Sequence, residues 1–109
     1  MAKKNDLMPG TLDLLILTTL KRAPMHGYGI ALAIKRLSED ALTVEEGSLY
    51  PALHRMEQSR WIAADWGLTE TGRKAKYYRL MAAGRKELEQ AEKSFDQLVK
   101  GVRAVLRHA

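Results

Sequence analysis

The sequence of 109 residues contains no cysteine, and this absence removes a whole group of functions. Without thiol groups the chain forms no disulfide and offers no thiolate to a metal ion. Its three histidines, His26, His54 and His108, are scattered without the spacing of a metal-ligand set. We therefore expect no metal site, and the composition suits a reducing compartment.

Long apolar runs are also missing. The longest uncharged run in the apolar N-terminal part extends from Leu14 to Leu20, and its 7 residues are too few to span a bilayer. The lysines near the N-terminus are not followed by an apolar segment that ends in a small-residue cleavage site, as a secretory signal requires. The sequence thus predicts a cytoplasmic protein with no membrane partner.

Residue patterns typical of enzymes are incomplete. Residues 67–74, GLTETGRK, have two glycines at the spacing of a phosphate-binding loop, but the lysine falls one position late and no hydroxyl residue follows. Asp13, His26 and Ser48 could supply the side chains of a hydrolytic triad, but no nucleophile elbow surrounds the serine. The sequence therefore indicates no enzyme, no catalytic residue and no cofactor.

Basic residues are concentrated in the second half of the chain. Residues 1–60 hold 8 Lys/Arg and 7 Asp/Glu, a net charge of +1, whereas residues 61–109 hold 10 and 6, a net charge of +4. Between Thr71 and Lys86 there are six basic residues and no acidic one. Such a run is ordinarily a solvated basic face, but Tyr77 and Tyr78 within it favour a surface for a polyanion.

Hydrophobic spacing predicts two helices before residue 40. Almost every side of the first helix is apolar, so it must be covered by more than one neighbour. The second helix has Ile30, Ile34 and Leu37 at i, i+4 and i+7, and His26 is placed to cap its start.

A third helix contains a proline near its expected start. An N-cap near Gly47 would place Pro51 in the first turn, where a missing N–H has no partner within the helix to lose. Thr43 and Glu46 have the form of a capping box; alternatively, Thr43-Val44 is a short extended segment. The apolar stripe of this helix is Leu49, Leu53 and Met56, and its polar face carries Ser48, Tyr50, His54, Arg55 and Gln58.

After Trp61 the hydrophobic period changes from that of a helix to that of a strand. Ile62, Ala64 and Trp66 alternate with smaller or polar residues, and the segment AKYYRLM predicts a second strand after a glycine-bracketed basic turn. Two short strands around such a turn predict a β-hairpin.

The segment that begins at Ala82 predicts one long helix. Its apolar residues recur at alternating steps of three and four, a period typical of a helix that packs lengthwise on another helix. The helix could fold back on its own domain, but the first helix also needs extra cover, so we favour a homodimer. The expected dimerisation residues are Leu88, Ala91, Phe95, Leu98, Val102 and Val105, with Leu12 and Ile16 beneath them.

Three helices followed by a hairpin is the order of a winged helix-turn-helix, in which the third helix enters the major groove of DNA. A tyrosine and a serine at a helix N-terminus suit phosphate, and the helix dipole favours the anion. His54 and Arg55, one turn further on, could reach base edges. The alternative for Tyr50 is that it packs against the wing.

The segment EEGSLYPALHRMEQSRWI resembles the signature of the PadR family of bacterial transcriptional regulators. LDLLILTTLKRAPMHGYGIA precedes it and TGRKAKYYRLMAAGRKELE follows, so the resemblance runs from about Gly10 to Leu88. The single C-terminal helix is similar to the smaller PadR subclass. The resemblance implies a homodimer that represses by binding an inverted-repeat operator in double-stranded DNA, often relieved by a small-molecule effector.

In terms of this resemblance, Ser48, Tyr50, His54 and Arg55 fall in the recognition helix, and Arg73, Lys74 and Lys76 fall in the wing. Gln58 lies on the same helix face and completes the expected DNA-binding set. Met81 departs from the family pattern, since relatives commonly have Ser or Thr there to cap the last helix. Loss of that cap should cost about 1 kcal/mol.

These observations predict a mostly α-helical fold with a small β-hairpin. We expect a flexible basic N-terminus (1–9), a winged helix-turn-helix DNA-binding domain (10–81) and a C-terminal dimerisation helix (82–109). The expected function is that of a sequence-specific DNA-binding repressor. The alternatives are a helical dimeric interaction module whose basic hairpin binds an acidic partner, and a nonspecific nucleic-acid binder.

Overall fold

A computed structural model describes residues 10–109, and the expected basic N-terminus lies outside the described residues. The helices are α1 (Thr11–Arg22), α2 (Gly27–Leu37), α3 (Glu46–Gln58) and α4 (Ala82–Arg107). The strands are β1 (Met25–His26), β2 (Ile62–Leu68) and β3 (Lys74–Leu80). The predicted order of three helices, a hairpin and one long helix is confirmed. None of these helices is both long and apolar enough to cross a membrane.

The sheet has one strand more than the predicted hairpin. Its order is β1-β3-β2, and Met25 and His26 pair antiparallel with Tyr78 and Tyr77. A strand of two residues is too short to show alternation, and its partner lies far along the chain. The strand therefore ties the start of α2 to the hairpin through a contact that no local pattern indicates.

The core lies between the first three helices, the inner face of the sheet and the start of α4. Its members include the predicted stripes of α2 and α3, apart from Leu37, which is exposed at the end of α2. The largest fully buried side chains are Ile16, Leu17, Ile30, Leu49, Leu53, Met56 and Ile62.

Two expected dimerisation residues belong to this core. Ile16 is 0% exposed and Leu88 is 2% exposed within a single chain, so neither has surface left for a partner. Their assignment to an intermolecular surface was wrong, because the first turns of α4 pack on the chain's own α1. Ala91 and Leu12 are half-buried, and the exposed large apolar residues of α4 all lie from Phe95 onward.

The N-terminal ends of the helices differ in how they are capped. The Nδ1 atom of His26 accepts a hydrogen bond of 3.0 Å from the Gly29 N–H, which confirms the predicted cap of α2. The N-cap of α3 is Glu45, without a side-chain hydrogen bond, so neither the capping box at Thr43 nor the start at Gly47 was right. Residues 42–45 form no strand either.

The earlier start of α3 changes the position of its proline. Pro51 is the sixth residue of the helix and lies beyond the first turn. Its missing N–H therefore removes a hydrogen bond that would otherwise run to the carbonyl group of Gly47. The proline does not fix where the helix begins; it is tolerated because the apolar stripe on either side of it is buried.

The start of α4 is held by backbone contacts instead of a cap. Met81 is the N-cap and its side chain makes no capping hydrogen bond. This was expected, because Met81 replaces the Ser or Thr that relatives commonly have at this position. Its N–H donates instead to the carbonyl oxygen of Trp61 at 2.9 Å. Gly84 passes so close to that same carbonyl that a Cβ atom there would overlap the oxygen, and it would also lie 2.8 Å from Cδ1 of Leu80.

We expect Gly84→Ala to lower the free energy of unfolding by about 1–3 kcal/mol, because backbone must move to admit the methyl group. The opposing gain in helix propensity is at most about 1 kcal/mol. Urea unfolding followed by circular dichroism measures the difference. Gln90→Ala, at an exposed position of the same helix, is the control and should stay within about 0.5 kcal/mol of the wild type. Equal stabilities of the two variants would contradict the proposed close approach.

Candidate nucleic-acid interface

The apolar stripe of α3 is buried, and its polar face is exposed. Leu49, Leu53 and Met56 are at most 1% exposed, which fixes the rotation of the helix about its axis. Side chains on the opposite face therefore project into solvent. Ser48, His54 and Gln58, three of the residues expected to contact DNA, are exposed on that face.

Tyr50 packs against the start of α2. Its ring lies over Gly27, where an added Cβ would be 2.7 Å from Cε1 and 2.8 Å from the phenolic oxygen. The absence of a side chain at Gly27 is therefore what makes room for the ring. Tyr50 is still 45% exposed, so packing fixes the ring without burying it. This packing against α2 was not among the alternatives that the sequence suggested for Tyr50.

Arg55 is engaged within the chain. Its Nη1 and Nη2 atoms donate to Oδ2 and Oδ1 of Asp13 at 2.9 and 2.7 Å, a bidentate pair that joins α3 to α1. The hydrogen bond to Asp13 raises the pKa of Arg55. We expected Arg55 to reach base edges, but in this structure the two terminal nitrogens of its guanidinium face a carboxylate of the same chain.

Lys76 is engaged in a similar way. Its Nζ atom lies 3.0 Å from Oε1 of Glu57, so the pair joins β3 to α3. The hydrogen bond to Glu57 raises the pKa of Lys76. Desolvation by burial raises the pKa of the neighbouring Tyr78. Lys76 thus forms an ion pair between the hairpin and α3, and its expected contact with DNA as a wing cation stays a prediction.

The remaining wing cations lie at the tip of the hairpin. The turn is closed by the Thr69 N–H, which donates to the carbonyl of Arg73 at 2.8 Å, and by the Arg73 N–H, which donates to Oγ1 of Thr69 at 3.2 Å. Gly72 has φ = +81°, a conformation that favours glycine. The side chains of Arg73 and Lys74 are exposed at this closed turn.

The start of α3 is more acidic than a phosphate site would favour. Glu45 is the N-cap and Glu46 is the first helical residue, and both are exposed. Acidic side chains stabilise a helix at this end because they interact favourably with its dipole. They also place negative charge where we expected the helix to attract phosphate.

Sequence reasoning missed the acidic partners and the exposed part of the wing. No local pattern indicates that Asp13 pairs with Arg55 or that Glu57 pairs with Lys76, because the partners lie 42 and 19 residues apart in the sequence. Trp66 was expected as a strand residue and Leu68 as part of the turn, yet both lie in β2 and are 72% and 67% exposed. Their signal was available: the alternation of β2 extends further than a small core can cover.

Comparisons with known proteins agree with this architecture. The family model described as "Transcriptional regulator PadR-like family" matches residues 16–90. A transcriptional regulator of Mycobacterium tuberculosis is 31% identical over 78 residues, which are 72% of this chain and 69% of that protein.

Two solved structures show the same arrangement. A PadR family transcription regulator from a hypervirulent Clostridium difficile is 30% identical with a TM-score of 0.73, and the match covers 87% of this chain and 97% of the other. A transcriptional regulator from Clostridium thermocellum is 27% identical with a TM-score of 0.80, covering 87% and 92%. Since the family model covers the helices, the hairpin and the start of α4, the chain belongs to the PadR-like family of transcriptional regulators.

Proposed function

We propose that this regulator binds DNA sequence-specifically as a homodimer and represses transcription from an inverted-repeat operator. The observation that carries the proposal is the exposed polar face of α3, on a helix whose opposite face is buried. Ser48, His54 and Gln58 offer hydroxyl, imidazole and amide groups, all of which hydrogen-bond to bases or phosphates. A helix so presented fits a major groove.

The wing and α3 have different electrostatic roles in this proposal. Arg73 and Lys74 are exposed at the hairpin tip and would neutralise phosphates, a contribution that is independent of sequence. Tyr50 and Ser48 remain candidates for phosphate contacts near the start of α3. Glu45 and Glu46 oppose such contacts, so the wing supplies most of the charge attraction.

Arg55 acts as a positioning residue in this proposal. It could contact a base through its terminal nitrogens only by giving up both hydrogen bonds to Asp13. Asp13 lies on α1, which also packs against α4 and lines a groove there. The pair would therefore set the angle of α3 relative to the helix that we assign to dimerisation.

The dimer would form through the exposed stripe of α4. Phe95, Leu98 and Val102 are 42–48% exposed, and Val105 and Leu106 are 72% and 66% exposed. Five apolar residues on one helix face of a small domain indicate a surface that is covered by a partner. The period of 3.5 suits a second copy of the same helix. A two-fold axis then places half-sites roughly 34 Å apart.

Within residues 10–109, the groove between α1 and α4 is the candidate site for the effector implied by the family resemblance, and it is small. The groove between α1 and α4 has a volume of about 190 Å³, below the roughly 300–1,000 Å³ of ordinary ligand pockets. A second copy packed on α4 would enlarge this groove. The groove is lined by Gly10, Thr11, Leu14, Ala91, Ser94, Phe95 and Leu98. A cytoplasmic location follows from the proposed role, since the operator lies there.

The proposed function predicts specific binding that survives moderate salt. DNase footprinting on DNA upstream of the protein's own coding sequence would locate the inverted repeat. A duplex with that repeat and a scrambled duplex of equal composition are then titrated at several salt concentrations. We expect tight binding at about 150 mM salt on the repeat alone. Equal binding to both would indicate a nonspecific binder, and no binding to either would indicate a protein-interaction module.

The two possible roles of Arg55, positioning α3 or reading a base, predict opposite effects of Asp13→Asn on operator affinity. Asp13→Asn removes a negative charge, which by itself should strengthen DNA binding, and it would release Arg55 if that residue reads a base. If the pair positions α3, we expect operator affinity to fall roughly 3- to 10-fold, or up to about 1.4 kcal/mol.

Asp65→Asn is the matched control for this variant. It makes the same charge change in another exposed pair, Asp65–Arg79, on the hairpin. Fluorescence anisotropy with the operator duplex measures both variants. A rise in affinity for Asp13→Asn above that of the control would assign base reading to Arg55.

The dimer surface is tested by placing a charge on the exposed stripe. We expect Leu98→Asp and Val102→Asp to sediment as monomers, because dimerisation would bury an unpaired carboxylate. Both positions are partly exposed in one chain, so the fold should persist by circular dichroism. Gln97→Asp, an exposed neighbour off the stripe, should remain dimeric. Dimers of all three variants would place the interface elsewhere.

A further inference from the structure

His26 lies where the sheet meets the start of α2. It pairs with Tyr77 as the second residue of β1, and it is also the N-cap of α2. Its Nδ1 atom accepts the hydrogen bond of 3.0 Å from the Gly29 N–H. The ring lies close over Gly29, where an added Cβ atom would be 3.4 Å from Cε1 of His26. One side chain therefore connects the sheet to the first turn of α2.

The ring of His26 packs on the hairpin. Its centroid lies 5.3 Å from that of Tyr77, in an edge-on arrangement. The Tyr77 ring in turn covers Gly67 of β2, where a Cβ atom would lie 3.0 Å from Cδ1 of the tyrosine. The Tyr77 hydroxyl donates to the carbonyl oxygen of Leu68 at 2.9 Å. These contacts join the start of α2 to the end of β2, next to the turn of the hairpin.

The first turn of α2 also contacts α3. Gly27 directly follows His26, and the ring of Tyr50 lies over it. Tyr50 belongs to the helix whose polar face is exposed. The end of α2 that His26 caps therefore contacts both parts of the molecule to which the proposed function assigns DNA binding, α3 through Gly27 and the hairpin through Tyr77.

The hydrogen bond to Gly29 requires a neutral imidazole. A backbone N–H can only donate, so Nδ1 of His26 carries no proton and the ring proton is on Nε2. Imidazole side chains gain a second proton between about pH 8 and pH 5. A proton on Nδ1 would turn the acceptor into a donor that faces the Gly29 N–H. It would also place a positive charge at the N-terminal end of the α2 dipole, which disfavours cations.

Two tyrosines and one ion pair lie around the ring of His26. Tyr28 stacks on it with centroids 6.4 Å apart, and Tyr77 packs against its other neighbour, the hairpin. The row of the sheet that begins at His26 continues through Tyr77 to Asp65, which is therefore two strands away. Asp65 is paired with Arg79 at 3.2 Å. Within residues 10–109 no carboxylate forms an ion pair with His26, so none stabilises a charged ring there.

We propose that His26 is a proton-sensitive positioning residue: the neutral ring fixes the hairpin relative to α3, and a second proton on the ring breaks this connection and weakens operator binding. The inference rests on the proposed function, because operator binding is its readout. The direction of the effect is distinctive. A proton on an exposed side chain such as His54 adds positive charge and strengthens the attraction for phosphates, whereas a proton on His26 weakens binding.

The first test compares the pH dependence of operator affinity in the wild type and in His26→Asn. Asparagine is a favourable N-cap whose side-chain oxygen accepts the same hydrogen bond, but it does not titrate. Linkage allows at most about a tenfold change per pH unit for each proton, and a dimer has one such ring in each subunit. Between about pH 7.5 and pH 5.5, we expect the wild type to lose roughly 5- to 30-fold more affinity than the variant. Equal losses in fluorescence anisotropy titrations would overturn the inference.

His108→Asn is the matched control. It makes the same substitution at an exposed histidine that follows α4, far along the chain from the contacts of His26. We expect its affinity to fall with pH as that of the wild type does. The contribution of His54 is present in all three proteins and cancels in the comparison. A pH dependence that disappears in His108→Asn as well would assign it to net charge and contradict the role of His26.

The second test follows the backbone while the ring titrates. Heteronuclear NMR spectra of the free protein are recorded over the same pH range. We expect the amide resonances of Gly29 in α2 and of Gly67 and Leu68 in the hairpin to shift with the same midpoint as the His26 ring. A shift confined to Gly29 would make the cap a local feature and would exclude the positioning role. A proton on Nδ1 at the highest pH would remove the hydrogen bond on which the inference depends.

Failure of this inference is distinguishable from failure of the proposed function. Specific operator binding with the same pH dependence in the wild type and in His26→Asn would remove the inference and leave the proposed function standing. A protein that binds no duplex at the highest pH would remove both. Global unfolding of the wild type at the lowest pH, measured by circular dichroism, would also contradict the inference, because the loss of affinity would then need no positioning residue.

Discussion

The bidentate pair between Asp13 and Arg55 joins the two parts of the molecule on which the proposed function depends. Arg55 lies on α3, and Asp13 lies on α1, which also packs against α4. Arg55 is 54% exposed in its side chain, and such a pair contributes at most about 1 kcal/mol to stability. Its importance is geometric: the buried stripe fixes the rotation of α3, and the pair restrains its tilt relative to α1.

Most elements could be predicted from sequence because their signals are local. The stripe of Leu49, Leu53 and Met56 identifies α3 without knowledge of any partner, and the alternation after Trp61 identifies β2 in the same way. β1 could not be found, since two residues carry no period and their partners lie in β3. The period of 3.5 in α4 likewise indicates that one face is apolar, but it does not indicate which neighbour covers that face. Leu88 therefore packs in its own domain while Val105 stays exposed.

The candidate site was predictable where exposure follows from helix geometry alone. Ser48, His54 and Gln58 are exposed because they lie opposite a buried stripe. Arg55 and Lys76 share the favourable charge and position expected of DNA contacts, but each has an acidic neighbour that the sequence places far away. Charge on a residue is visible in a sequence, whereas its pairing is a property of the fold. The expected contacts of the recognition helix with DNA remain a prediction.

In the proposed function the charge attraction for DNA comes from the wing and not from α3, and this affects specificity. Glu45 and Glu46 at the start of α3 repel phosphates, and Asp13 and Glu57 each pair with a nearby cation, so α3 has little general attraction for DNA. In the proposed function, Arg73 and Lys74 would attract any duplex. If α3 enters the groove as proposed, a wrong sequence gains only the contacts of the wing and still meets the repulsion of the acids. The difference between correct and incorrect sites then comes from hydrogen bonds that α3 can form at the operator alone.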